Sequence, residues 1–229
     1  MSTPLGLPPI AFFSLLQLVS SALPVGAYSY SEGIETLVQT GQITNLETLE
    51  HWLTQELRSG ALRVETLVLR RVYEALTAGQ LDHLITWNHW LSAFRETEEL
   101  REQSWQMGRS LTRLLSELYP QAPELLDPAG EPWNFAVGFA IAAYLGEIDL
   151  EVAIAGYLYS WASNLVTAGV RLIPLGQTQG QKLLMNLAPV LAAAADTVMQ
   201  AEERLPLCTW GMAIASMQHE TLYSRLFRS

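Results

Sequence analysis

The residues most able to do chemistry are gathered between Leu23 and Glu35, LPVGAYSYSEGIE. Tyr28, Tyr30, Glu32 and Glu35 put phenols and carboxylates within a short span. If they shared a pocket they would make an acid–base set for a helical small-molecule enzyme. The same stretch also reads as a polar, tyrosine-bearing surface held rigid for a partner. Pro24 and Gly26 demand a sharp turn before it. Ser29 or Ser31 is then expected to cap the next helix, with Glu32 and Glu35 near its positive end.

Other stretches imitate catalytic motifs and fail on spacing. Gly176-Gln-Thr-Gln-Gly180-Gln-Lys182 has the glycines of a phosphate loop. The lysine is misplaced, Leu183 stands where a hydroxyl would hold magnesium, and no strand precedes it. Ser29 and Ser31 precede Gly33, yet neither has the upstream glycine of a nucleophile elbow. His51, His83, His89 and His219 are scattered, and His219-Glu220 lacks the second histidine of a zinc-protease helix. Surface or packing roles are expected for all four.

Two charged stretches point outward instead. In RETEELREQ, from Arg95, the pairs Arg95/Glu99 and Glu98/Arg101 have helical spacing, which predicts a solvated ion-paired face. The alternative is that Arg95 and Arg101 reach carboxylates elsewhere. The segment 217–229 carries Tyr223, Arg225, Phe227 and Arg228 on an otherwise acidic chain. Arginine and aromatics dominate binding hot spots, so this tail is expected to dock.

Composition narrows the classes. The 229 residues are 49% hydrophobic and only 16% charged, so a core is easily built and apolar surface is left over for other chains. The formal charge of −10 repels phosphate backbones and excludes general nucleic-acid binding. Lys182 is the only lysine; arginine supplies the remaining cations and suits forked contacts to carboxylates. The single cysteine, Cys208, allows no internal disulfide and no cysteine cage, and a reducing compartment fits it. The apolar N-terminus lacks a basic leader, since the first arginine is Arg58, and reads as mature sequence. Residues 152–170 are uncharged but contain Ser160, Ser163, Asn164 and Thr167, which predicts a buried helix and not a membrane span.

Apolar residues recur at three- and four-residue spacing almost throughout. Helices are expected over 7–21, 29–40, 45–59, 62–78, 81–118, 133–145, 148–172 and 183–203, with a last stretch from Pro206. Gly108 marks close packing or a kink, and Pro189 a kink or boundary. The proline-rich run 119–132 is a linker within one domain. No alternating strand pattern or hairpin signal occurs, so the expected fold is all-α: a single-domain bundle of roughly eight to ten helices over 1–229, with 217–229 as its docking tail.

Four stretches together resemble the UreF family of urease accessory proteins. They are LLQLVSSALPVGAYSYSEGIE (15–35), RETEELREQSWQMGRSLTRLL (95–115), YLYSWASNLVTAGVRLIPLGQTQGQKLL (157–184) and ASMQHETLYSRLFRS (215–229). The resemblance implies an all-helical, non-enzymatic, cytoplasmic protein that works with UreD (also called UreH) and the GTPase UreG. Together these deliver nickel to apo-urease, whose active-site lysine is carbamylated. It further implies a homodimer that bridges UreD to UreG, modulates the GTPase cycle and holds no cofactor stably, nickel being handled by the complex. Nucleic acid and membrane are not expected partners. On this reading Tyr223, Arg225, Phe227 and Arg228 face UreD, Arg171 faces UreG, and Tyr28 and Tyr30 contribute subunit contacts. Glu32 and Glu35 are candidates to line the nickel passage.

Overall fold

The computed structural model describes residues 8–126, 132–202 and 208–229. Eleven α-helices and one 3-10 turn, and no strand, occur among the described residues. They run as α1 (Pro9–Leu18), the 3-10 turn (Ala27–Ser29), α2 (Ile34–Gln39), α3 (Leu46–Ser59), α4 (Leu62–Thr77) and α5 (Asp82–Phe94). Then follow α6 (Glu98–Leu118), α7 (Ala122–Leu126), α8 (Phe135–Leu145), α9 (Leu150–Leu172), α10 (Gln177–Gln200) and α11 (Trp210–His219).

The centre is α8, FAVGFAIAAYL, in which nine of eleven residues are buried. A helix apolar on every side must be covered on every side. The amphipathic α4 and α6 pack on it, and α1, α5 and α9 complete the cover. Phe139 is fully buried and stands edge-on to Tyr157 at 5.1 Å between ring centres. Burial of such a ring contributes about 1.5–3 kcal/mol. Close approach is set by Gly108, where an added Cβ would lie 1.8 Å from the Trp133 carbonyl oxygen. The segment 152–170 falls within α9, which packs on α10, α4 and α8. Of the described helices only α10 is long and apolar enough to cross a membrane, with 33% of its most apolar window buried.

Local chemistry explains several boundaries. Asn45 and Thr48 cap α3 reciprocally, the Thr48 N–H donating to Asn45 Oδ1 at 3.0 Å. The single helix expected over 81–118 is two. The Thr97 hydroxyl accepts the Leu100 N–H at 3.2 Å and starts α6, with Glu98 and Glu99 in its first turn. The helix expected from residue 29 begins only at Ile34, because Glu32 (φ 51°) and Gly33 (φ 82°) are left-handed. Pro189 lies inside α10, which is assigned as one helix throughout, so no boundary occurs there. The proline-rich linker is interrupted by α7, and its residues 127–131 lie outside the described set.

Candidate functional site

Two features meet at the stretch 28–35: a cavity on one side and the docked tail on the other. The cavity encloses about 390 Å³. Its inner wall holds Glu32, Glu65, Arg95, Gln103 and Tyr157, and its outer part is lined by Tyr28 and Arg171. Arg95 ends α5 by turning inward, where its Nη1 donates to Glu65 Oε1 at 2.6 Å; both side chains are under one-tenth exposed. The solvated pairing expected for Arg95 with Glu99 is therefore overturned. Its carboxylate partner comes from α4 instead. The Tyr157 hydroxyl donates to the other Glu65 oxygen at 2.6 Å. Burial, then the Glu65 charge, pushes the Tyr157 phenol well above its ordinary range. Burial opposes the Arg95 charge, but Glu65 and Glu32 outweigh it and hold the guanidinium protonated.

With Arg95 and Glu65 neutralising each other, Glu32 is the remaining acid of this wall. Its Oε1 accepts from Gln103 Nε2 at 2.7 Å and its Oε2 from the Trp161 indole at 2.8 Å. Burial, then repulsion from Glu65, raises its carboxyl above the usual range, and the indole bond works in the opposite direction. Arg171 is exposed, with its guanidinium 3.4 Å from the Tyr28 carbonyl oxygen, and Tyr28 itself is largely exposed.

The tail lies on the other face of the stretch. Ser31 and Glu32 turn consecutive N–H groups toward the Ser229 carbonyl oxygen, at 2.7 and 3.1 Å, and the Ser31 hydroxyl donates to it at 2.7 Å. Left-handed backbone at Glu32 and Gly33 shapes this concavity of donors. The Glu35 carboxylate accepts the Leu226 and Phe227 N–H groups at 2.7 and 2.9 Å. His219, fully buried, stands between Glu99 (2.8 Å) and Glu35 (3.4 Å). Arg225 reaches the other Glu99 oxygen at 2.7 Å, and Arg228 donates to Gln106 at 3.2 Å.

These contacts sort the expected residues. Glu32 and Tyr28 line the cavity, whereas Glu35 is engaged by the tail and does not. Tyr30 is buried and donates to Gln106 at 2.6 Å. Tyr28, Tyr30, Glu32 and Glu35 therefore do not converge on one pocket. Phe227 is 5% exposed and anchors the tail to its own chain, while Tyr223 is fully exposed and Leu226 largely so. Gly33 and not Ser31 occupies the N-cap position of α2, yet the Ser31 hydroxyl, while donating to Ser229, also accepts the first-turn Glu35 N–H at 3.4 Å. No group of three or more histidine, cysteine, aspartate or glutamate side chains stands ready to share a metal among the described residues. Sequence reasoning missed Gln103, Trp161, Glu65 and Tyr157. Gln103, Tyr157 and Trp161 fall within the stretches 95–115 and 157–184 that carry the resemblance, but nothing in the sequence singled them out, and Glu65 lay only within the helical spacing of α4.

Against known families, the UreF model matches residues 43–188, the body that carries Glu65, Arg95, Gln103, Tyr157 and Arg171. The chain belongs to the UreF family. The similarity runs beyond the matched body to nearly the whole chain. A urease accessory protein UreF from Microcystis aeruginosa is 56% identical over 216 residues, covering 94% of this chain and 96% of its own. One from Trichormus variabilis is 53% identical over 219 residues, with 95% and 96% covered. A more distant UreF, from Alcanivorax borkumensis, is 41% identical over 228 residues, with 96% and 98% covered.

Proposed function

We propose that this UreF-family chain is a non-catalytic scaffold of urease maturation. It bridges UreD (UreH) and the GTPase UreG in the cytoplasm, modulates the GTPase cycle and works as a homodimer while nickel is handed to apo-urease. The observation that carries the reading is the docked tail. A segment at the end of a chain frays unless it is tied down. Here its anchors, Phe227 and Ser229, are buried while Tyr223 and Leu226 are left exposed on the same segment. That arrangement suits a rigid presentation to UreD, with Arg225 and Arg228 fixing the segment through Glu99 and Gln106. Buried Tyr30 supports it from beneath through the same Gln106. Arg171 and Tyr28, on the outer part of the cavity, are the contacts toward UreG. Nickel passes as cargo along the Glu32 wall, with Glu35 holding the tail beside it, and no metal or cofactor is held stably by this chain.

Removal of residues 217–229 is expected to abolish UreD capture in a pull-down while the far-ultraviolet signature of the helices persists. Undiminished capture refutes the tail assignment. Arg171→Ala is expected to weaken UreG by about 2 kcal/mol, roughly thirtyfold in Kd. An unchanged UreG titration assigns Arg171 to its own chain alone. Urease activation with purified partners, read as nickel content and GTP turnover together, tests the whole scheme.

A further inference from the structure

The cavity and the tail are joined by a single side chain. Gln103, on α6, is only 7% exposed. Its Oε1 accepts the Ser229 hydroxyl, and its Nε2 donates to Glu32 Oε1 at 2.7 Å. Ser229 also holds the Glu32 backbone, whose N–H donates to the Ser229 carbonyl oxygen at 3.1 Å. Glu32 is therefore gripped by the tail twice, through its main chain and, by way of Gln103, through its carboxylate. Its remaining oxygen is fixed by the Trp161 indole.

The Glu32 backbone is also strained. A glutamate at φ 51° is uncommon and persists only where its surroundings over-determine it. Gly33 follows at φ 82°, packed so closely that an added Cβ would lie 2.8 Å from the Cβ of Ala215 on α11. With the tail in place, the captured Ser229 oxygen satisfies the N–H groups that this conformation exposes. Without it, those donors lose their partner and the strain loses part of its support.

The geometry points to a mechanical coupling: docking of residues 226–229 sets the position of the Glu32 carboxylate in the cavity, with Gln103 as the relay. A docked tail pins the acid between Gln103 and Trp161. A displaced tail frees Gln103, relaxes the 31–33 turn and releases the acid into the cavity. Whatever pulls on the tail from outside therefore changes the cavity inside, with no contact of its own there. The coupling relies on the proposed partners only for what would displace the tail, and its test needs none of them.

The test uses the full chain, labelled with ¹⁵N, and reads the indole N–H of Trp161, assigned by its loss in Trp161→Phe. Tail docking is read separately from hydrogen exchange at the Leu226 and Phe227 amides. Phe227→Ala is expected to expose those amides and to shift the Trp161 indole upfield as its bond to Glu32 weakens. Gln103→Leu cuts only the relay, so the amides stay protected while the indole still shifts. Ser229→Ala, a milder change, is expected to shift it in the same direction by less. The indole of Trp105, bonded to Ser92 at 3.0 Å, serves as the unmoved reference. A Trp161 indole that stays put with the tail amides exposed, or in Gln103→Leu, overturns the coupling. Failure here leaves the scaffold reading intact, since that is judged by partner capture.

Discussion

Replacement of Arg95 by methionine tests the inner wall of the cavity most directly. Arg95 and Glu65 are 7% and 9% exposed, and 2.6 Å apart, so each is the other's compensating charge. Methionine keeps the unbranched stem and leaves Glu65 a buried carboxylate with only the Tyr157 hydroxyl to solvate it. Breaking a buried pair in this way costs about 3–5 kcal/mol. Glu65→Met strands the guanidinium and also deprives Tyr157 of its acceptor, which adds about 1–3 kcal/mol for an unsatisfied buried hydroxyl. The double variant removes both charges together and is expected to recover most of the Arg95→Met loss, because an apolar replacement of a buried pair is often neutral. Urea unfolding followed by circular dichroism gives the three free energies and hence the coupling between the two residues. Single variants that each cost less than about 1 kcal/mol, or costs that simply add in the double, would falsify the claim that the pair is buried and mutually dependent.

Glu56 offers a test by pH. Burial, then repulsion from Glu32 and Glu96, raises its carboxyl from 4.5 to about 8. Between those two values the folded chain binds the proton more tightly than the unfolded one. Stability is therefore lost as pH rises through the window, at up to roughly 1.4 kcal/mol per pH unit. Glu56→Gln is expected to flatten that slope and to be the more stable protein at pH 8; an unchanged slope by denaturant titration refutes the assignment. Gly108→Ala must push the Trp133 carbonyl away from α6, a loss of about 1–3 kcal/mol or more, measured as a lower urea midpoint. Glu35→Ala leaves the Leu226 and Phe227 N–H groups without acceptors, and faster hydrogen exchange at both amides is expected with the helix content kept; unaltered exchange would mean the tail is held elsewhere.

The all-α fold was legible because the three- and four-residue spacing of apolar side chains recurs almost throughout, and α8 shows itself as buried by having no polar face. The break between α5 and α6 was not, although Thr97 followed by Glu98 and Glu99 is a start signal. The helical spacing of Arg95 and Glu99 concealed it, and an inward turn of a single arginine depends on a carboxylate thirty positions away in the sequence. The stretch 23–35 announced a turn but not its handedness, so Glu32 and Glu35 both read as acids at the positive end of the next helix. Left-handed backbone at Glu32 and Gly33 sends one to the cavity and the other to the tail. The tail declared itself by composition, whereas its receptor on the same chain could not be read from either segment alone. Gln103 closed the charged stretch from Arg95 without standing out in it; a glutamine in a helix has many uses, and only the packed fold selects this one.

The union of Ser31 with Ser229 has a consequence in time. These residues are 198 positions apart. Contacts of such long separation pay the greatest loop-closure cost and form late, and during synthesis the earlier residues wait for the later ones to emerge. The first signature of the sequence thus waits on residues made long after it. A nascent chain can assemble α8 and its covering helices and still carry an unfinished turn at Glu32. The turn at Glu32 can gain the Ser229 oxygen only after Ser229 has been made.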